Sequence, residues 1–242
     1  MNDTLKYILS TILCAGLLAV LIASFRTGEK QRHGRTCTGA EITFVEDFRF
    51  IDEQDVIDGL RSAAGEFIGV RLMDLPLHKM EKAVKAMPHV AGCEVWSTPD
   101  CILHVLVDQK DPIAMITDEA GSRYLDAHGK TFPLSSGYTC PTRKVTAGRK
   151  MSEAECAELA GFIRNLDKSA AWSSRINRIS VNGRGEYSFI PDGMKENVHL
   201  GSPDNLKTKL AMLDDYCSRI SDSTTAYRNV ILKYRNQIIC RK

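Results

Sequence analysis

The chain has 242 residues, with 32 Lys and Arg against 30 Asp and Glu for a formal net charge of +2, and 43% hydrophobic residues. Such a length holds one membrane segment and about two small domains, and 8 Pro and 17 Gly are too few for a fibrous repeat or a disordered chain. Basic side chains are interleaved with acidic ones instead of clustering, so the electrostatic footprint of a nucleic-acid binder is missing.

The first signal along the chain is Tyr7 to Phe25, YILSTILCAGLLAVLIASF, which carries no charge. About 18 to 20 apolar residues at a rise of about 1.5 Å match the hydrocarbon core of a bilayer, so 7–25 reads as a transmembrane helix behind a short tail at 1–6. A cleaved signal peptide is the competing reading, with Lys6 as a thin positive start and Leu21-Ile22-Ala23 as a poor small-x-small site. Flanking charge leaves the orientation open. Arg26, Lys30, Arg32 and Arg35 follow the span and only Lys6 precedes it, which puts the C-terminal bulk inside, but a large domain behind a six-residue tail makes that count less decisive.

Beyond a polar linker at 26–35, Glu41 to Val45 alternates as a first strand. Asp52 caps a helix whose apolar face is Val56, Ile57 and Leu60, and Gly65 and Gly69 mark its end. Asp74 opens a second helix, with Met80, Val84 and Met87 spaced by four and three and Pro88 as its stop. Strands at Gly92 to Trp96 and Ile102 to Asp108 follow, joined by the turn Ser97-Thr98-Pro99-Asp100. The order β-α-α-β-β predicts a small mixed sheet with two helices on one face.

The second half reads as short strands separated by turns: Ala114 to Ile116, Arg123 to Leu125, and Thr131 to Leu134 after the turn Ala127-His128-Gly129-Lys130. Ser152-x-x-Glu155 is a capping box ahead of a helix carrying Cys156, Leu159, Ile163 and Leu166. Strands are expected at Ile176 to Val181, Glu186 to Ile190 and Lys195 to Leu200, the last two joined by Pro191-Asp192-Gly193. Ser202 with Pro203 at the first helical position starts a helix with the stripe Leu206, Leu210, Leu213, Cys217 and Ile220. A final strand runs from Asn229 to Cys240. On it Val230, Leu232, Tyr234, Ile238 and Cys240 share one face, Asn236 interrupts that face, and Lys233, Arg235 and Gln237 point the other way. A terminal strand needs a neighbour on one side only, so its outer edge either accepts a strand from another chain or is simply guarded by Lys233 and Arg235.

No catalytic or cofactor-binding constellation stands out. The chain lacks G-x-S-x-G, a Walker-type loop, H-E-x-x-H and G-x-G-x-x-G, and its six His are scattered singly. Ser135-Ser136 beside Tyr138 and Cys140 has no base with a predictable position. Eight Cys, one of them Cys14 in the span, leave seven, so at least one does not pair within the chain. No C-x-x-C or zinc spacing occurs, and a Cys93–Cys101 disulfide is disfavoured because the hairpin turns Cys93 to the other face. Neither cofactor, metal, nucleic acid nor small-molecule substrate is expected.

The ordered set Met87-Pro88-His89-Val90, Cys93-Glu94-Val95-Trp96, Thr98-Pro99-Asp100, Leu103-x-Val105-x-Val107-x-Gln109-Lys110-x-Pro112-Ile113-Ala114 and Tyr124-Leu125-Asp126-x-x-Gly129-x-x-Phe132 continues with Val198-His199-Leu200-Gly201 and Ile231 to Ile238. In that order it resembles the FtsQ/DivIB family of cell-division proteins over nearly the whole chain. The resemblance implies an α+β protein with a transmembrane helix at 7–25, a POTRA module at 36–112 and a largely antiparallel β domain at 113–242 ending in an edge strand. It further implies a cytoplasmic tail at 1–6, an inner-membrane location with periplasmic bulk, and a non-catalytic divisome subunit that binds FtsB, and FtsL through it, in support of septal peptidoglycan synthesis. The family's contact positions fall on Tyr234 and Asn236 within Lys233, Tyr234, Arg235, Asn236, Gln237 and Ile238, and a supporting Arg falls near Gly185, where this sequence offers Arg184. Two other readings stand beside it: a POTRA-containing adaptor of another envelope assembly or secretion system, and a membrane-anchored envelope hydrolase.

Overall fold

The computed structural model describes Leu17, Leu18, Val20 and residues 35–219 and 227–242. Leu17, Leu18 and Val20 are helical and exposed, while the rest of the expected span at 7–25 lies outside the described residues. Among the described residues no helix is long and apolar enough to cross a membrane. The chain divides into two compact units, the first containing Asp52–Asp108 and the strand before it, the second Phe48–Ile51 and Gln109–Lys242.

The first unit has the expected β-α-α-β-β order: β1 Gly39–Phe44, α1 Glu53–Ala64, α2 Leu77–Lys85, β2 Val90–Ser97 and β3 Ile102–Gln109. Its sheet runs β1-β3-β2, with β1 parallel to β3 from Gly39↔Ile102 to Phe44↔Val107. Asp52 caps α1 as expected, its carboxylate accepting from Asp55 N while the Asp55 carboxylate accepts from Asp52 N, and Gly65, in the left-handed region, ends it. The second helix starts later than the sequence predicts. Asp74 sits in a 3-10 turn, Leu72–Asp74, with its carboxylate held by Arg71 Nε at 2.7 Å, and α2 begins only after Pro76. Val56, Leu60, Met80 and Val84 of the helices and Cys93, Leu103, Val105 and Val107 of the sheet are buried.

The second unit carries a nine-stranded mixed sheet of order β12-β11-β10-β9-β8-β7-β4-β5-β6. Its strands are β4 Pro112–Asp118, β5 Gly121–Asp126, β6 Thr131–Pro133, β7 Arg143–Ala147, β8 Arg178–Val181, β9 Tyr187–Phe189, β10 Asn197–Gly201, β11 Asn229–Ile231 and β12 Ile239–Arg241, with helices α3 Glu153–Asp167 and α4 Leu206–Arg219. Strand β7, parallel to both β4 and β8, was not legible in sequence: only Val145 and Ala147 are buried, while Lys144 and Thr146 are exposed, and two apolar positions make no run. Two parallel crossovers, β7-α3-β8 and β10-α4-β11, form one core from Leu159, Ile163, Leu166, Leu210, Leu213 and the inward residues of the sheet. Helix α4 starts at Leu206 behind Asn205 at φ 55°, so Pro203 lies in the preceding turn and not at the first helical position. Tyr216 joins the buried stripe of α4, which the expected pattern omitted, and Ile220 lies outside the described residues.

Phe48–Ile51, between β1 and α1 in sequence, folds with the second unit. The buried Gln109 amide holds it: Oε1 accepts from Phe50 N at 3.1 Å and Ile51 N at 3.4 Å, and Nε2 donates to Phe48 O at 2.7 Å. Phe50 then meets the rings of Tyr124, Phe132 and Tyr138 at 5.4, 6.1 and 5.1 Å, in a small aromatic core of its own.

Asp118 ties the β4–β5 turn to the start of α3. Its fully buried carboxylate accepts from Arg123 Nη1 and Nη2 at 2.8 and 2.7 Å, Ala120 N at 2.9 Å and Met151 N at 2.9 Å. Chiefly through Arg123, these donors hold the acid well below the usual carboxylate range against the opposing effect of burial. A depressed folded-state value stabilises above the unfolded value, about pH 4, and that contribution is lost as pH falls through the folded-state value. Asp118→Asn should therefore cost about 3–5 kcal/mol at neutral pH, because Arg123 is left without its anion. It should also flatten the acid limb of the pH–stability curve, which denaturant titration from pH 7 to 2 measures.

Candidate protein-binding edge

The expected single strand from Asn229 to Cys240 is two strands. Val230 pairs with Cys240 and Ile231 with Ile239, so β11 and β12 form a hairpin, with Tyr234, Arg235 and Asn236 in the connection between them. Asn236 stands at φ 57°, a left-handed conformation that Asn tolerates better than most residues, and Gln237 N closes a turn onto Tyr234 O at 3.5 Å. Strand β11 is interior, lying parallel to β10 on one side and antiparallel to β12 on the other. The edge of the sheet is therefore Ile239–Arg241, which the sequence reading did not single out.

The expected contact residues Lys233 to Ile238 fall in the connection of this hairpin, and Arg184 lies apart from it. Lys233, Tyr234, Arg235, Asn236 and Gln237 are exposed, with Tyr234 52% accessible, while Ile238 is half-buried against the core. Arg184 lies in the β8–β9 turn, where its backbone N donates to Asn182 Oδ1 at 2.9 Å. Glu186 in the same turn pairs with Lys233 and accepts from Asn182 Nδ2 at 3.0 Å. Lys233 first, then Asn182, hold the Glu186 carboxyl below its ordinary value, with Arg184 adding to the effect. The turn carrying Arg184 and the start of the connection are thus joined through Glu186.

Backbone contacts fix the hairpin as well. Leu232 N donates to His199 O at 2.9 Å, the His199 ring Nε2 lies 2.9 Å from Asn229 Oδ1, and Arg228 N donates to Arg241 O at 2.8 Å. Gly201 ends β10 at φ 77°, and a Cβ there would stand 3.0 Å from Lys233 Cγ and 3.5 Å from Lys233 Cα. Only glycine adopts that backbone freely and admits Lys233 so closely. The opposite edge of the sheet, β6, includes Pro133, which has no N–H to give to an added strand. Among the described residues no group of three or more His, Cys, Asp or Glu could hold a metal ion.

A three-stranded sheet with two helices, followed by a nine-stranded mixed sheet with two more, defines a two-domain α+β protein whose first domain has the POTRA strand and helix order. Comparison with known families agrees: residues 35–108 match the POTRA-like domain and residues 111–241 match the family described as FtsQ/DivIB, C-terminal related. The chain belongs to the FtsQ/DivIB family. No curated protein matches it.

Replacing Gly201 by Ala puts a side chain into the left-handed region and against Lys233. Gly201→Ala should lower the stability of the second unit by about 1–3 kcal/mol in denaturant unfolding, the cost of one such strained residue.

Proposed function

We propose that the chain is a non-catalytic divisome subunit, anchored in the inner membrane by residues 7–25 with its bulk in the periplasm, that binds FtsB, and FtsL through it, to assemble and regulate septal peptidoglycan synthesis. The observation that carries this reading is β12, which among the described residues has a neighbouring strand on one side only, in a protein of the FtsQ/DivIB family. A partner strand laid along Ile239–Arg241 would complete the ladder there.

Charge supports a partner of acidic character. Residues 227–242 contain Arg228, Lys233, Arg235, Arg241 and Lys242 and no Asp or Glu, in a chain whose net charge is only +2. The exposed Tyr234 beside Arg235 supplies the residue types that dominate binding energy at protein interfaces. The Lys233–Glu186 pair and Gly201 hold the connection against the sheet, so the contact residues are positioned before the partner arrives.

Removal of residues 239–242 should abolish FtsB binding while leaving the POTRA-like unit folded. Arg235→Glu combined with Arg241→Glu should weaken binding at least about tenfold and reduce its salt dependence, as loss of steering charges does. Titration calorimetry of the extramembrane segment of FtsB into the full chain in detergent measures both. Unchanged affinity after removal of the last strand would exclude this mode of binding.

A further inference from the structure

The segment before β1 and the β2–β3 hairpin bring Cys37 to within one residue of a backbone bond to Cys101. Thr38 N donates to Cys101 O at 2.8 Å, Thr38 Oγ1 donates to the same oxygen at 3.1 Å, and the parallel ladder begins one residue later at Gly39↔Ile102. Thr38 N is attached to the carbonyl carbon of Cys37 and the accepting oxygen is Cys101's own, so the 2.8 Å bond holds the Cα atoms of Cys37 and Cys101 within about 8 Å of each other. Disulfides span Cα separations of about 4.4–6.8 Å.

The two sites differ in a way that suits an ordered reaction. Cys37 is 1% exposed and its thiol donates to Gly39 O at 3.3 Å, whereas Cys101 is half-exposed at the hairpin. Cys101 also stands at φ 73°, one of three non-glycine residues with positive φ among the described residues. Glycine takes that conformation without strain and cysteine does not, so the side chain is kept at a conformational cost. Burial, opposed by the backbone bonds and reinforced by the neighbouring Cys101, raises the Cys37 thiol above its ordinary value. Cys37 is accordingly a resting thiol.

We propose that Cys37 and Cys101 form a paired thiol site that closes to a disulfide with an oxidising thiol couple. With oxidised glutathione as the oxidant, the Cys101 thiolate attacks one glutathione sulfur and expels the other as a thiolate, giving a mixed disulfide. Cys37 then loses its proton, its sulfur attacks the Cys101 sulfur, and the second glutathione thiolate leaves. Two protein thiols are oxidised to one disulfide, and one glutathione disulfide is reduced to two thiols. The bridge staples the beginning of β1 to the β2–β3 turn and closes a loop containing α1, α2 and β2, so it constrains the unfolded chain of the POTRA-like unit. This site is independent of the β12 edge and of the proposed partner.

The full chain, purified in detergent, is incubated with oxidised glutathione, its remaining thiols are alkylated, and the digest is examined by mass spectrometry without reductant. A peptide pair joining Cys37 to Cys101 is expected, together with an unfolding midpoint for the POTRA-like unit that falls when reductant is added. Cys101→Gly should lose both the linked pair and the reductant sensitivity, and in reductant it should unfold no earlier than the parent, because the strain at φ 73° is gone. Cys37→Ala, which leaves the hairpin untouched, should accumulate glutathione on Cys101. Recovery of both cysteines as alkylated or glutathione-bound thiols in the parent chain, or a bridge from Cys37 to any other cysteine, would overturn the proposal.

Discussion

The parallel pairing of β10 with β11 is the constraint on which the C-terminal architecture depends. Asn197↔Asn229, Val198↔Val230 and His199↔Ile231 lock the chain into the interior of the sheet, and Val230 and Leu232 are wholly buried under the α4 crossover. Once β11 is fixed in that slot, the remaining residues reach the sheet edge only by turning back, and Asn236 in the left-handed region is the turn. Strand β12 then has β11 on one side and, among the described residues, no strand on the other. An edge made this way combines a well-anchored base with an incomplete ladder, which are the two properties a strand-addition site requires.

The sequence showed this edge but placed it on the wrong residues, for a reason of parity. Val230 and Cys240 are cross-strand partners, so they lie on one face of the hairpin. Leu232 and Ile238 keep the same alternation on either side of the turn, and the pattern is therefore indistinguishable from that of one long strand. The clue that separates the two is Asn236, which breaks the apolar face and belongs to the residue types that favour turns. Lys233 through Gln237 thus surround the edge instead of forming it, and Ile239 and Arg241 join them.

Local chemistry was legible where it is self-contained. The Asp52 cap and the Ser152 capping box open their helices as the sequence predicts, because a cap satisfies N–H groups within three residues and needs no tertiary help. Tertiary demands account for most of what was missed. Strand β7 is central because its neighbours β4 and β8 bury Val145 and Ala147, not because its own pattern is strong. Phe48–Ile51 precedes α1 in sequence and carried no expectation, because the Gln109 side chain and three aromatic rings that recruit it to the second unit lie about sixty to ninety residues away.

Amide hydrogen exchange on the full chain, with and without the extramembrane segment of FtsB, tests the account at its centre. It predicts slow exchange in β11, faster exchange in β12, and strong slowing at Ile239 to Arg241 when the partner is added. Equal protection of β11 and β12 in the free chain, or no change in β12 with the partner present, would contradict it.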